Sequence, residues 1–235
     1  MDFPLTTVHL QDGAEVFTVT VLEAKQPTGV GLFAVGRGGN PLRHLSLLRS
    51  VVSHGYTMVA PHFAPLMSPA PTKDELDTRI RRLELALDEY ARVDQPIIGI
   101  GHSIGAVALL ALAGAEARTL SGHRVVSGSN WMFERLVLLT PPAGFFGHPG
   151  ALQSVAVPIY LRVGGKDTVT PPAQALALSE VLVKQTQVEF RLDEDAGHFT
   201  YMDELPPHVV DSQPDRNTFL STLAEDVAQF VTFSR

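Results

Sequence analysis

The sequence contains no cysteine, and this absence excludes disulfide bonds, thiolate metal sites and a cysteine nucleophile together. No apolar run approaches the roughly 18 residues needed to cross a bilayer. The first residues, MDFPLTTVHLQDG, have neither the basic nor the apolar segment of a secretory signal. We therefore expect a soluble, cytoplasmic protein whose covalent chemistry uses a group other than a thiol.

Basic clusters are also scarce, and the formal net charge is −7 at pH 7. Nucleic acids and anionic membranes attract clustered Lys and Arg, so we expect neither as a partner. The densest basic group, Arg79, Arg81 and Arg82, shares its segment with several carboxylates, and we interpret it as a solvated helix face. No pair of histidines has a metal-ligand spacing such as H-E-x-x-H, so we predict no metal and no cofactor. No pattern indicates the oligomeric state.

The order of apolar segments predicts a single α/β domain over residues 1–235. Apolar runs of strand length alternate with segments of helical period, which is typical of a mostly parallel sheet with helices on both faces. The first two runs flank a turn and predict an antiparallel pair at the sheet edge. The eight predicted strands are 7–10, 16–22, 30–35, 57–61, the run that starts at 96, 135–140, 158–164 and 188–192. Helices are predicted at 41–54, at 72–90 with a capping box of Thr72 and Glu75, after Ser103, at 172–184 and at 215–233.

The glycine cluster in PIIGIGHSIG permits two interpretations. Gly99, Gly101 and Gly105 lie between a strand and a helix, close to a dinucleotide fingerprint. However, Ile104 occupies the place of the third glycine, and residues 119–126 lack the carboxylate that the fingerprint expects. These departures disfavour a redox enzyme with a nucleotide at this turn.

The second interpretation is the G-x-S-x-G pattern at residues 101–105, a nucleophile elbow that exposes Ser103 between a strand and a helix. A serine hydroxyl needs a base and an orienting acid, which in this arrangement follow in the order Asp or Glu, then His, each after a later strand. Asp167 follows the strand 158–164, and His198 follows the strand 188–192. The other acidic residues of that last loop, 193–195, lie too close to His198 in sequence.

The segments GHSIG, GGKDTVTPP and DAGHFTY, in this order, resemble the α/β-hydrolase fold family over nearly the whole chain. The resemblance extends to small carboxylesterases and to dienelactone-hydrolase-like members, here with serine as the nucleophile. It implies that Ser103 is the nucleophile, His198 the general base and acid, and Asp167 the carboxylate that orients the imidazole. It also implies an oxyanion hole made by the backbone N–H groups of Ile104 and Arg37. Many relatives carry His-Gly just before the second amide, where this chain has Val-Gly.

The segment 140–158 is too short for a helical cap domain, so the resemblance implies a rather open site with little or no cap. Phe145, Phe146 and Phe199 are candidates for the substrate pocket, with ordinary packing as the alternative for Phe145 and Phe146. The resulting hypothesis is a serine hydrolase that cleaves small or medium carboxylic esters through an acyl-enzyme on Ser103. Its partner would be a small-molecule ester or thioester. A thioesterase or amidase would use the same residues, and a non-catalytic binding protein with this fold is a further alternative.

Overall fold

Ten strands are found in the part of the chain that the computed structural model describes, residues 3–129 and 131–232. In chain order they are β1 (Leu5–Asp12), β2 (Glu15–Leu22), β3 (Gly29–Ala34), β4 (Tyr56–Pro61), β5 (Ile97–His102), β6 (Ala117–Arg118), β7 (Arg124–Val125), β8 (Arg135–Leu139), β9 (Ile159–Gly164) and β10 (Val188–Asp193). The strands β3, β4, β5, β8 and β9 are almost entirely buried. In β10, exposed and less exposed residues alternate, as expected for a strand at the edge of a sheet.

Eight of these strands form one sheet in the order β1-β2-β4-β3-β5-β8-β9-β10. The pairs β1–β2 and β2–β4 are antiparallel, and all other neighbours are parallel. The predicted eight-stranded, mostly parallel sheet with an antiparallel edge pair is therefore confirmed. The short strands β6 and β7 form a separate antiparallel hairpin that the sequence did not indicate. Because β5, β9 and β10 run parallel, the loops after them meet at one edge of the sheet.

Five α-helices cover the two faces of the sheet. They are α1 (Leu45–Ser53), α2 (Lys73–Tyr90), α3 (Ile104–Leu112), α4 (Pro172–Leu182) and α5 (Arg216–Thr232). The apolar stripes of α2, α3 and α4 belong to the larger core on one face. The helices α1 and α5 pack on the other face and against each other, and their apolar residues form the second core. Four of these helices bury one face and expose the other, as expected for layers around a central sheet, whereas every residue of α3 is buried.

The helices begin and end close to their predicted limits, with one difference in type. Thr72 caps α2, and its side chain and that of Glu75 satisfy each other's backbone N–H groups, which confirms the capping box. The segment 41–54 is not one α-helix: a 3₁₀ helix, Pro41–His44, precedes α1, because the backbone of His44 (φ −126°, ψ 24°) departs from the α-helical conformation. The predicted end of the last helix at Phe233 lies outside the described residues.

The interpretation of the α2 arginines as a solvated face is wrong for Arg79, whose side chain is 3% exposed. Its guanidinium group donates to backbone carbonyls of the segment 35–37, beside the end of β3. Arg81 and Arg82 pair with carboxylates of the β1–β2 hairpin, Asp12 and Glu15. The three arginines therefore belong to two different environments on one helix.

The connection from β8 to β9 contains a short 3₁₀ helix, Ala143–Phe146, followed by turns. It carries no α-helix, and residues 140–158 are all described, so the expectation of little or no cap is met. Among the described residues, no helix is long and apolar enough to cross a membrane.

Candidate active site

Ser103 lies at a sharp turn between β5 and α3. Its φ of 54° with ψ of −125° is unusual for a residue with a side chain, and such backbone strain is found mainly at functional sites. The serine N–H donates to the carbonyl of Leu139, and its own carbonyl accepts the N–H of Ala106. The turn is thereby fixed to the neighbouring strand on one side and to the helix on the other.

The glycines on either side of Ser103 allow the strand and the helix to approach closely. A Cβ atom at Gly105 would lie 1.9 Å from the carbonyl oxygen of Ala34 in β3, and one at Gly101 would lie 2.7 Å from Cα of Ala106 in α3. No side chain larger than hydrogen fits at either position. The glycines of the G-x-S-x-G pattern therefore serve packing around the elbow, as the second interpretation requires.

The structure brings Ser103, His198 and Asp167 together in one chain of hydrogen bonds. Ser103 Oγ lies 3.0 Å from His198 Nε2, and His198 Nδ1 lies 2.8 Å from Asp167 Oδ2. All three side chains are buried. With the Nδ1 proton donated to the carboxylate, His198 Nε2 is free to accept the serine proton.

Asp167 is held by a network that the sequence analysis did not identify. Its Oδ1 accepts the N–H groups of Val169 and Thr170 at 2.8 and 2.7 Å, and its Oδ2 accepts the Thr170 hydroxyl at 2.7 Å. Burial acts to raise the pKa of Asp167, but the bonds with His198 and Thr170 outweigh it and the pKa lies below its ordinary value. The carboxyl group is therefore ionised at neutral pH. In the sequence, Thr170, three residues after Asp167, is the feature that could have indicated this network.

Two further histidines form a stack with His198. The ring of His102 lies 5.2 Å from that of His198, and the ring of His44 lies 5.0 Å from that of His102. His102 Nε2–H donates to the carbonyl of His198, and His44 Nδ1–H donates to that of Tyr201. Burial, together with the neighbouring histidines, holds the pKa of His102 well below its ordinary value, and burial lowers that of His44 to about 4. Both rings are therefore neutral at pH 7 and hold the His198 loop.

The second predicted oxyanion segment lies directly beside the serine. A Cβ atom at Gly36 would be 3.4 Å from Ser103 Cβ and 2.9 Å from His102 Nδ1. The Arg37 guanidinium donates to the carbonyls of Leu66 and Met67, which anchors the segment from its outer side. Among the described residues, the Arg37 N–H has no acceptor.

Ile104, the other predicted oxyanion residue, is the first residue of α3. Its N–H is one of the amides at a helix N-terminus that no intrahelical carbonyl accepts.

A cavity of about 180 Å³ opens beside these groups. Ser103 and His198 line it together with Arg37 and Phe199, and the Phe199 ring packs edge-on against His198 at 5.0 Å. Apolar side chains of three further residues contribute to the wall: Val169, Met202 and Pro206. No Asp or Glu among the described residues lines the cavity, whereas Arg43 does.

The prediction that Phe145 and Phe146 line the substrate pocket is wrong. Neither residue borders the cavity beside Ser103, and both are buried in the larger core as the last two residues of the 3₁₀ helix between β8 and β9. The 3₁₀ helix packs against α4 and β6. Ordinary packing, the alternative for these two residues, is what the structure shows.

Two of the three rival carboxylates near His198 have other partners. Asp193 binds the buried Arg162 through both oxygens and accepts the hydroxyl of Tyr201. Asp195 is half-exposed and pairs with Lys166. No group of three or more acidic or histidine side chains in the described part of the chain has the arrangement of a metal site.

Comparison with solved structures places this arrangement among known folds. The carboxylesterase Cest-2923 from Lactobacillus plantarum WCFS1 is 14% identical, with a TM-score of 0.65 and 97% of both chains covered. An alpha-beta serine hydrolase homologue from Coxiella burnetii is 16% identical, with a TM-score of 0.63 over 96% of this chain and 97% of the other. The thioesterase domain from the curacin biosynthetic pathway is 14% identical, with a TM-score of 0.64 over 98% of this chain and all of the other. The chain has the α/β-hydrolase fold.

At these identities the likeness concerns the fold, and it confirms the fold that the three motifs predicted. No family model matches the chain, and no curated protein matches it in sequence. Within the α/β-hydrolase fold of this chain, Ser103, Asp167 and His198 occupy three loops at the carboxyl edge of the sheet, after β5, β9 and β10.

Proposed function

We propose that the protein is a serine hydrolase that cleaves small carboxylic esters through an acyl-enzyme on Ser103. The observation that carries this proposal is the unbroken hydrogen-bond chain from Ser103 Oγ through His198 to Asp167, which begins at a strained elbow and borders a cavity. Strain and burial of this kind are costly, and a functional site explains why the chain retains them.

In the proposed reaction, Ser103 Oγ attacks the ester carbonyl carbon while His198 Nε2 takes the hydroxyl proton. The ionised Asp167 stabilises the imidazolium that forms. The negative charge on the former carbonyl oxygen would be stabilised by the N–H groups of Ile104 and Arg37. His198 then gives its proton to the departing alcohol. A water molecule next attacks the acyl carbon while His198 Nε2 takes its proton, and this proton passes to Ser103 Oγ as the carboxylic acid leaves.

The size of the cavity supports a small substrate. Its volume of about 180 Å³ is below the roughly 300 Å³ at which pockets for drug-sized ligands begin. The wall formed by Val169, Phe199 and Met202 is apolar and suits a short acyl or alcohol group.

A fluorophosphonate probe tests the proposal, because such probes modify only activated serines. We expect stoichiometric labelling of the wild type by intact mass and no labelling of Ser103→Ala or His198→Ala. Ser53→Ala, which alters an exposed serine at the end of α1, is the matched control and should label like the wild type. Absence of labelling in the folded wild type would contradict the proposal and favour a binding protein with this fold.

The same groups would cleave a thioester. Hydrolysis of acetyl esters and acetyl thioesters with matched leaving groups, both compared with Ser103→Ala, separates the two activities. A thioester rate that exceeds the ester rate after correction for the uncatalysed reactions would assign the site to thioesters. Equal loss of both rates in Ser103→Ala would show that one serine serves both.

A further inference from the structure

The buried guanidinium of Arg79 holds the backbone of the second oxyanion segment from the side opposite the cavity. Its Nη1 donates to the carbonyls of Val35 and Gly36, each at 3.2 Å. Its Nη2 donates to the carbonyl of Ala64 at 3.2 Å and, at 3.5 Å, to that of Arg37. A guanidinium group has five donors in a rigid planar fork, which suits simultaneous contact with several carbonyls.

No carboxylate among the described residues forms an ion pair with Arg79, and Glu75, one turn earlier on α2, acts on its charge only at longer range. Its guanidinium also lies 4.7 Å above the ring of Phe63. Burial lowers the pKa of Arg79 to about 10, and the group is therefore still protonated at pH 7. An unpaired charge is costly to bury, so its retention at 3% exposure calls for a reason beyond packing.

Two contacts fix the direction of the Arg37 N–H, because the carbonyl of Gly36 accepts from Arg79 Nη1 at 3.2 Å and from the N–H of Gly39 at 3.1 Å. The carbonyl of Gly36 and the N–H of Arg37 belong to one peptide unit, which is trans, so the two groups point in opposite directions. Gly36 and Arg37 line the cavity beside Ser103, whereas Arg79 does not. With the carbonyl directed to Arg79, the N–H is directed to the cavity side.

We infer that Arg79 is a positioning residue that orients the Arg37 N–H, and so assembles the oxyanion hole, for hydrolysis at Ser103. The inference rests on the proposed function. The bonds to the carbonyls of Val35 and Gly36 orient the backbone of the segment. The positive charge of Arg79 also polarises the peptide unit between Gly36 and Arg37, whose N–H would donate to the developing oxyanion.

The variants Arg79→Met and Arg79→Lys test this inference, with Arg82→Met as the matched control. Arg82 lies on the same helix, stacks on Phe17 at 5.2 Å, and binds carboxylates of the β1–β2 hairpin rather than the oxyanion segment. The measurements are kcat and KM for p-nitrophenyl acetate, the melting temperature, and Ki for phenylboronic acid. The boronate forms a tetrahedral adduct on the serine with an oxygen in the oxyanion position.

For Arg79→Met we expect kcat to fall about 10- to 100-fold and Ki for the boronate to rise by a similar factor, with KM within about twofold of the wild type. Arg79→Lys retains the charge but not the planar guanidinium fork. Its kcat and Ki should lie between those of the wild type and those of Arg79→Met. Arg82→Met should lower the melting temperature and leave kcat and Ki unchanged. A folded Arg79→Met with the kcat and Ki of the Arg82→Met control would overturn the inference.

If Arg79→Met does not fold, Arg79→Lys decides: wild-type values of both kcat and Ki would then overturn the inference. Failure of the proposed function gives a different result. In that case the wild type itself would show no hydrolysis that depends on Ser103, and the boronate would bind neither the wild type nor Arg82→Met.

Discussion

The two sides of the cavity at Ser103 are held by different kinds of contact. On one side, Asp167, Thr170 and His198 are joined by side-chain hydrogen bonds within two neighbouring loops. On the other side, the backbone of the segment 35–37 is held by the side chain of Arg79 and by the N–H groups of Gly39 and Leu66. The comparison teaches that the acid–base groups of a site can hold one another directly, whereas its main-chain donors depend on a side chain that lies outside the site.

The largest expected effect concerns the acid–base side. Asp167→Asn should lower kcat for p-nitrophenyl acetate by about 10³- to 10⁴-fold, because an amide does not hold His198 in the tautomer with a free Nε2. Asp195→Asn, in the loop before His198 and paired only with Lys166, is the control and should retain the wild-type kcat. Equal losses in the two variants would mean that Asp167 has no special role.

The second prediction concerns the close contact of α3 with the end of β3, which joins the two sides of the cavity. Gly105→Ala places a methyl group 1.9 Å from the carbonyl of Ala34 and 2.9 Å from that of Val35, so the strand and helix must separate. We expect the free energy of unfolding to fall by roughly 3 kcal/mol in urea titrations. The kcat should fall as well, because the carbonyl of Val35 is one of those that Arg79 binds.

Gly144→Ala is the control for this experiment, since a Cβ atom there has no neighbour within 4 Å. It should change neither quantity. If Gly105→Ala lost stability but kept the full kcat below its unfolding midpoint, the two sides of the cavity would be less coupled than the packing indicates.

The sequence indicated the acid–base residues and the oxyanion segment, but not the side chain that holds that segment. Asp167 and His198 follow apolar strands in a fixed order, and a polar residue after a buried strand can be recognised from local patterns alone. The eight strands were recognisable for the same reason. Phe145 and Phe146 were misplaced because an apolar residue in a connecting segment can face either a cavity or the core, and no periodicity distinguishes these.

Arg79, on the main-chain side of the cavity, shows the same limit of prediction from local sequence patterns. It lies three residues after Leu76 and four before Leu83, both on the buried stripe of α2, so helical period alone places it at the edge of that stripe. The many charges of the segment suggested a solvated face. Only the tertiary structure shows that four backbone carbonyl groups accept hydrogen bonds from this arginine and so offset the cost of burying its charge.

The third prediction uses the histidine stack, which connects the His198 loop to the residues beside Gly36. His44 has a pKa of about 4 in the folded state, against 6.5 when unperturbed. Protonation therefore favours the unfolded chain, so stability from this group is complete above about pH 6.5 and is lost as the pH falls to about 4. The full difference is roughly 3 kcal/mol.

Urea unfolding at pH 7, 5.5 and 4 measures this dependence. His44→Asn, whose amide can still donate to the carbonyl of Tyr201, should reduce the slope of stability against pH in this window. His54→Asn, at the exposed end of α1, should leave the slope unchanged. An unaltered slope in His44→Asn would show that His44 already titrates in the folded protein near its ordinary pKa.

The smallest effect is expected from Thr170, the side chain that binds both Asp167 and His198. Thr170→Val retains the shape but removes the hydroxyl, so Asp167 loses one hydrogen bond and its pKa should rise towards the ordinary value. Asp167 should remain ionised at pH 7, because the N–H groups of Val169 and Thr170 and the His198 ring still bind it.

We therefore expect kcat/KM to fall only about tenfold at pH 7, with the acid limb of the pH–rate profile otherwise retained. Thr186→Val, which removes a hydroxyl that binds the carbonyl of Ala156 far from the cavity, is the control. A loss as large as that of Asp167→Asn would mean that the hydroxyl, rather than the carboxylate alone, fixes the His198 ring. The acid–base side would then depend on one neutral side chain more strongly than the oxyanion side is proposed to depend on Arg79.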